Sequence, residues 1–86
     1  MSAKITMYST RFCPYCMRAR SLLKKKNVEY EEIRVGSSPA LWQEMREKTN
    51  GTTVPQIIIN GQVIGGYDDM ARLDREGKLD NLLKEQ

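Results

Sequence analysis

The dipeptide Asn60-Gly61 lies between two short apolar segments, 56–59 and 62–64. Both residues tolerate a positive φ, and Asn-Gly between two apolar segments favours a type I′ turn and hence a β-hairpin. A hairpin contributes two antiparallel strands to the sheet that contains it. The chain is therefore restricted to folds whose sheet has at least one antiparallel pair.

The segments before the hairpin predict a β-α-β unit. Ile5–Ser9 has a β-rich composition, apolar residues at helical spacing follow Pro14 up to about Asn27, and 28–35 predicts a second strand. Such a crossover connects parallel strands and is right-handed. Combined with the hairpin, it predicts an α/β fold with a small mixed sheet and helices on both of its faces.

Three more helices are predicted from their stop and start signals. One follows the turn at 36–39 and ends at Asn50-Gly51, one begins at Asp68-Asp69 and stops at Gly77, and a short one spans the leucines at 79–83. The chain has 86 residues and shows no internal repeat or linker. We therefore expect a single domain over residues 1–86.

The chain has two cysteines and no histidine. A structural zinc site uses four Cys or His ligands, so no metal site built by this chain alone is expected. Cys-His and Ser-His catalytic pairs are excluded because they require a histidine. A redox pair remains, as does a cysteine that ligates a metal cluster whose other ligands come from elsewhere.

The formal net charge is +3, and the basic residues concentrate between Arg18 and Lys26. We interpret this run as a solvated helix face, so no nucleic-acid partner is expected. The longest apolar run, 57–59, is far shorter than the ~18 residues of a membrane span. The segment before the first strand also lacks the apolar region of a signal peptide. A cytoplasmic monomer without a membrane partner is expected.

Cys13-Pro14-Tyr15-Cys16 lies at the predicted junction of the first strand and the first helix. The free N–H groups and the dipole of a helix N-terminus favour a negative charge, and therefore the Cys13 thiolate. Arg11 and Arg18 are expected to add positive potential nearby. Cys16, one turn into the helix, is better placed to resolve a mixed disulfide, so Cys13 is the predicted nucleophile.

Cys13-Pro14-Tyr15-Cys16, preceded by Phe12, resembles the active site of a dithiol glutaredoxin. Two further motifs, Thr53-Val54-Pro55-Gln56 and Gly65-Gly66-Tyr67-Asp68-Asp69, follow in the order and spacing of that family. The resemblance covers nearly the whole chain. It implies a thioredoxin fold with a four-stranded mixed sheet, and glutathione as a co-substrate with no permanently bound cofactor.

The resemblance also implies a glutathione site. The peptide bond before Pro55 would be cis, and the Val54 backbone would pair with the glutathione cysteine. The segment Gly65–Asp69 would bind the γ-glutamyl carboxylate, with an Asp side chain accepting from the α-amino group. Thr10 departs from the family pattern, because many relatives have a lysine there. The implied glutathione-binding residues are Arg11, Tyr15, Thr53, Val54, Pro55, Gly66, Tyr67, Asp68 and Asp69.

The implied activity is glutathione-dependent reduction of protein disulfides and glutathione mixed disulfides through Cys13 and Cys16. Expected partners are glutathione and disulfide-containing or glutathionylated proteins, with ribonucleotide reductase as one candidate. Two alternatives stay open. One is a related enzyme reduced by thioredoxin reductase, and the other is a module that binds a [2Fe–2S] cluster between two chains through Cys13 and two glutathiones.

Overall fold

The structure is a computed structural model that describes residues 4–84. Its strands form one sheet in the order β2-β1-β3-β4. β1 pairs with β2 in parallel and with β3 antiparallel, and β3 and β4 are antiparallel. The elements follow along the chain as β1 (Ile5–Ser9), α1 (Pro14–Lys25), β2 (Glu31–Arg34), α2 (Pro39–Thr49), β3 (Gln56–Ile59), β4 (Gln62–Gly65), α3 (Tyr67–Arg75) and α4 (Leu79–Lys84).

The predicted hairpin is confirmed. Asn60 and Gly61 join β3 to β4 with φ angles of 53° and 80°. Two successive positive φ angles are the signature of the type I′ turn. The turn directs β4 back along β3, at the edge of the sheet opposite β2.

Helices cover both faces of the sheet, as predicted. Ile5, Met7, Ile57 and Ile59 belong to the core on one face, together with side chains from α1, α3 and α4. Tyr8 packs on the other face with Met45 of α2. This division follows the strand period of two, which sends neighbouring side chains to opposite faces. The mixed four-stranded sheet between two helical layers is a thioredoxin fold.

The second strand is shorter than the predicted segment 28–35. Pairing with β1 begins at Glu31, opposite Thr6, and ends at Arg34, opposite Ser9. β2 is an edge strand, so β1 is the neighbour that sets its length. Val28 and Tyr30 instead pack against the core from the α1–β2 connection. Their apolar character therefore reflects burial beside α1.

The helix boundaries agree with the sequence signals to within one or two residues. α3 begins at Tyr67 with Gly66 as its N-cap, one residue before the predicted start at Asp68. Trp42 of α2 packs against the core and donates its indole N–H to the Gly36 carbonyl at 2.8 Å. Within residues 4–84, no helix is long and apolar enough to cross a membrane.

Candidate active site

Cys13 lies at the N-cap of α1, where the extended backbone of the loop turns into the helix. Its Sγ accepts a hydrogen bond from the Cys16 backbone N–H at 3.2 Å. Pro14 follows as the first helical residue, which suits proline because that position needs no N–H donor. The sulfur is partly exposed, so solvent and substrate can reach it. This geometry leaves the Cys13 sulfur accessible at the N-terminus of the helix, where it can attack a substrate disulfide.

Cys16 lies one turn further along α1 and is fully buried. Burial raises the pKa of the Cys16 thiol to about 11, and the hydrogen bond and charge of Cys13 act in the same direction. A backbone hydrogen bond of Thr10 and the charge of Arg20 oppose this effect without outweighing it. Cys16 is therefore a protonated thiol at neutral pH, which leaves the first attack to Cys13.

The loop before β3 forms a wall beside Cys13. The Val54–Pro55 peptide bond is cis, as the resemblance implied. The Cys13 thiol donates to the Val54 carbonyl at 3.8 Å. The backbone of Val54 thus lies directly against the reactive sulfur, although the two residues are 41 positions apart.

An open groove of about 280 Å³ runs from this wall to the N-terminus of α3. This volume is near the lower end of small-molecule sites, about 300 Å³. Cys13 adjoins the groove through its contact with Val54. The lining residues are Tyr15, Thr53, Val54, Pro55, Gln56, Gly65, Gly66, Tyr67, Asp68 and Asp69.

The far end of the groove is the first turn of α3. The Gly66 N–H donates to the Asp69 carboxylate at 3.1 Å, so this carboxylate caps its own helix. The N–H groups of Tyr67 and Asp68 have no intrahelical partner, since they lie in the first turn. They can therefore bind an anionic group. The Asp68 side chain is exposed beside them and can accept from a cation.

Two arginines near the cysteines lie in different places. The Arg18 guanidinium stacks over the Tyr15 ring, 5.3 Å from its centroid, and so brings a positive charge to the rim of the groove. The Arg11 guanidinium stacks over Phe12 at 5.2 Å. Phe12 is 85 % exposed, and neither Arg11 nor Phe12 lines the groove.

The site shares its sequence and fold with known proteins. The glutaredoxin family model matches residues 5–64. A glutaredoxin of Pseudomonas aeruginosa is 47% identical over 79 residues, which cover 92% of this chain and 94% of the relative. Glutaredoxin 3 of Escherichia coli K12 is 45% identical over 82 residues, which cover 95% of this chain and 99% of the relative. The chain belongs to the glutaredoxin family.

A solved structure of another glutaredoxin supports the same assignment. The crystal structure of a buckwheat glutaredoxin–glutathione complex superposes with a TM-score of 0.84 at 29% identity. The match covers 92% of this chain and 74% of the buckwheat chain. The present glutaredoxin is therefore a thiol–disulfide oxidoreductase whose chemistry is related to glutathione.

The structure of this glutaredoxin brings most of the residues implied by the resemblance into one groove. Cys13 adjoins the groove at Val54, and Tyr67 and Asp68 are among its lining residues. Arg11 is the residue of the implied set that the structure leaves outside the groove. Arg18 is the arginine that reaches the rim instead.

Gln56 lines the groove but was not among the implied binding residues, and Gly65 was implied only as part of the segment Gly65–Asp69. Gln56 is the first residue of β3, and its amide donates to the Thr53 carbonyl at 2.9 Å, which fixes the loop that carries Val54. Gly65 ends β4 with a φ of 112°. The sequence signal for both was their place inside the two matching motifs.

Replacing Gly65 by Ala is expected to damage the groove. A Cβ at this position would collide with the Asp69 carboxylate, and the positive φ is unfavourable for alanine. We expect a loss of about 1–3 kcal/mol in the free energy of unfolding and reduced turnover of a glutathione mixed disulfide. Urea unfolding and steady-state kinetics measure the two effects.

Gly36→Ala is the matched control for this prediction. Gly36 also has a positive φ, 51°, but a Cβ there would meet no atom within 4 Å. This variant should lose about 1 kcal/mol from backbone strain alone and keep its turnover. Equal kinetic losses in both variants would contradict a specific role of the Gly65–Asp69 contact.

Proposed function

We propose that this glutaredoxin reduces glutathione mixed disulfides and protein disulfides in the cytoplasm, with glutathione as the reductant. One observation carries the proposal. The nucleophilic Cys13 and the N–H groups that begin α3 border a single groove. That arrangement suits a short anionic peptide whose thiol reacts at one end while its carboxylate binds at the other.

The groove offers complementary groups for each part of glutathione. The Val54 backbone lies beside the Cys13 sulfur and can pair with the backbone of the glutathione cysteine. The N–H groups of Tyr67 and Asp68 can receive the γ-glutamyl carboxylate. The Asp69 carboxylate already caps its own helix by accepting from Gly66, so we assign the α-amino group to the exposed Asp68 side chain. The buckwheat glutaredoxin of similar fold was crystallised as a glutathione complex, which supports this assignment.

Reduction of a glutathione mixed disulfide requires Cys13 alone. The Cys13 thiolate attacks the glutathione sulfur, the original disulfide breaks, and the protein thiolate leaves and takes a proton from water. Cys13 then carries glutathione. A second glutathione thiolate attacks the sulfur of the bound glutathione, which releases oxidised glutathione and regenerates Cys13.

Reduction of a protein disulfide uses both cysteines. The Cys13 thiolate attacks one sulfur of the substrate and forms a mixed disulfide, and the second substrate sulfur leaves as a thiolate. Cys16 then attacks Cys13, which releases the reduced protein and forms the Cys13–Cys16 disulfide. Two glutathiones reduce that disulfide. Phe12 and Tyr15 are exposed beside Cys13 and provide apolar surface for a protein substrate.

Recognition of glutathione by Asp68 can be tested with two forms of one peptide, carrying either glutathione or cysteine as a mixed disulfide. Wild type should reduce the glutathionylated form with the higher kcat/KM. Asp68→Asn should lower that kcat/KM about tenfold, the expected loss for a hydrogen bond to a charged group. It should leave the value for the cysteinylated form unchanged.

The control variant Glu76→Gln removes the same charge at the opposite end of α3, where Glu76 lies outside the groove. It should reduce both peptides like wild type. A wild type that does not distinguish the two peptides, or an Asp68→Asn variant that loses activity equally on both, would contradict the proposed recognition of the γ-glutamyl group.

A further inference from the structure

Arg20 lies one turn after Cys16 on α1, at the i,i+4 spacing that makes two helical side chains neighbours. Its side chain is partly buried, with 22 % of it exposed. A partly buried charge keeps more of its electrostatic effect than an exposed one. The mechanism proposed above assigns no role to the charge of Arg20.

A network of side chains on two strands holds Arg20 in place. The Glu32 carboxylate on β2 accepts from the Arg20 Nε at 2.8 Å and lies 2.7 Å from its Nη2. Ser9, the last residue of β1, donates its hydroxyl to the same carboxylate at 2.6 Å. Burial alone would raise the pKa of Glu32, but the hydrogen bonds from Arg20 and Ser9 hold it below its usual value. Glu32 is therefore a permanent anion at neutral pH.

The same guanidinium fixes the loop that contacts Cys16. Arg20 Nη2 donates to the Thr10 carbonyl at 3.2 Å. Thr10 follows the last residue of β1 and begins the loop that carries Cys13. A backbone hydrogen bond of Thr10 acts on the Cys16 sulfur, as does the positive charge of Arg20. Both influences favour the Cys16 thiolate, and both depend on the position of Arg20.

These influences meet less opposition at one stage of the reaction. In the free enzyme, burial and the neighbouring Cys13 keep the pKa of Cys16 high. Once Cys13 is part of a mixed disulfide, it carries no charge. Burial then remains as the effect that disfavours the Cys16 thiolate. The groups opposing it are Thr10 and Arg20. The Glu32 carboxylate of β2 holds Arg20 in place and offsets part of its positive charge.

We propose that Arg20, held by Glu32 and Ser9, is a positioning residue for the resolving step, because it keeps its charge and the Thr10 backbone beside Cys16. In this step the Cys16 thiol loses its proton to water and its sulfur attacks the Cys13 sulfur. The Cys13–Cys16 bond forms, and the bond between Cys13 and the substrate breaks. The substrate sulfur leaves with the electron pair and takes a proton from water. The inference rests on the dithiol branch of the proposed function.

The test follows ring closure directly in the full chain. Reduced protein is loaded on Cys13 with 2-mercaptoethanol by reaction with 2-hydroxyethyl disulfide, trapped at low pH, and then mixed to final pH values between 5 and 9. The release of 2-mercaptoethanol gives the rate of the Cys16 attack. This probe lacks both ends of glutathione, so the result does not depend on glutathione recognition.

Arg20→Met should slow ring closure about three- to tenfold at pH 7 and shift the rise of its pH profile to higher pH. The loss of the positive charge and of the contact with the Thr10 carbonyl lowers the thiolate fraction, and the more basic sulfur regains part of this through its greater nucleophilicity. Arg20→Lys keeps the charge and should restore most of the rate and the pH profile.

A control in the Cys16→Ser variant distinguishes a positioning role of Arg20 from a general loss of stability. There, Arg20→Met should leave the glutathione-dependent turnover of a small mixed disulfide within twofold. An unchanged ring-closure rate in Arg20→Met would overturn the inference. An equal loss of rate in the ring-closure and turnover assays, with an unshifted pH profile of ring closure, would also overturn it. Arg20 would then only stabilise the fold. Failure of the proposed function would give a different result: wild type would form the Cys13–Cys16 disulfide but would not turn over with glutathione as the reductant.

Discussion

Replacing Cys13 by Ser is expected to abolish reduction of both glutathionylated peptides and protein disulfides, by about a thousandfold or more. A serine hydroxyl is not ionised at neutral pH, whereas both reaction branches begin with attack by the Cys13 thiolate. The site offers no substitute, because the other cysteine, Cys16, is fully buried and its thiol has a raised pKa of about 11.

The fold should tolerate this substitution. Cys13 is partly exposed, and a serine oxygen at an N-cap can accept the Cys16 N–H as the sulfur does. Urea unfolding of Cys13→Ser should therefore give a midpoint close to that of wild type, and steady-state turnover with each substrate measures the loss. A stable variant with substantial residual turnover would show that Cys13 is not the nucleophile.

Cys16→Ser should lose the reduction of protein disulfides through a different step. Cys13 still attacks the substrate, but the mixed disulfide can no longer be resolved from within the protein. A covalent one-to-one complex with the substrate protein should accumulate, and turnover should fall at least about a hundredfold at low glutathione. Non-reducing electrophoresis and intact mass detect the complex.

Cys13→Ser and wild type are the controls for accumulation of this covalent complex. Cys13→Ser should form no complex, since the buried Cys16 cannot reach the substrate. Wild type should form it only transiently. If Cys16→Ser turned over protein disulfides as fast as wild type without glutathione, the resolving role of Cys16 would be wrong. A complex joined through Cys16 would reverse the roles of the two cysteines.

Local signals in the sequence predicted the elements that position the site. Asn60-Gly61 determined the hairpin because both residues accept a positive φ. The position of Cys13 before Pro14 predicted that its sulfur lies at the N-terminus of the first helix, and the structure places Cys13 at the N-cap. Both features are encoded within a few residues, and the structure contains both of them.

Features that depend on distant pairing were harder to predict. The apolar residues Val28 and Tyr30 were assigned to a strand, but the register against β1 starts the strand at Glu31. Arg11 and Arg18 flank the cysteines at similar distances along the chain. Only the folded backbone shows that Arg18 reaches Tyr15 at the groove, while Arg11 stacks on the exposed Phe12.

The contact of Val54 with Cys13 required the family resemblance, because proline alone rarely adopts the cis form. The network of Arg20, Glu32 and Ser9 was also absent from the sequence interpretation. Arg20 belonged to a run of basic residues that predicted a solvated face. Its burial results from the packing of α1 against β1 and β2, which brings Glu32 to its guanidinium.

In the proposed function, Cys13 exchanges glutathione without help from a second cysteine. The most direct test is the reduction of a glutathionylated peptide with glutathione as the sole reductant, by wild type and by Cys16→Ser. We expect both proteins to turn over and the variant to keep most of the wild-type rate. A wild type that is inactive with glutathione, and is reduced only by thioredoxin reductase or isolated with an iron–sulfur cluster, would contradict it.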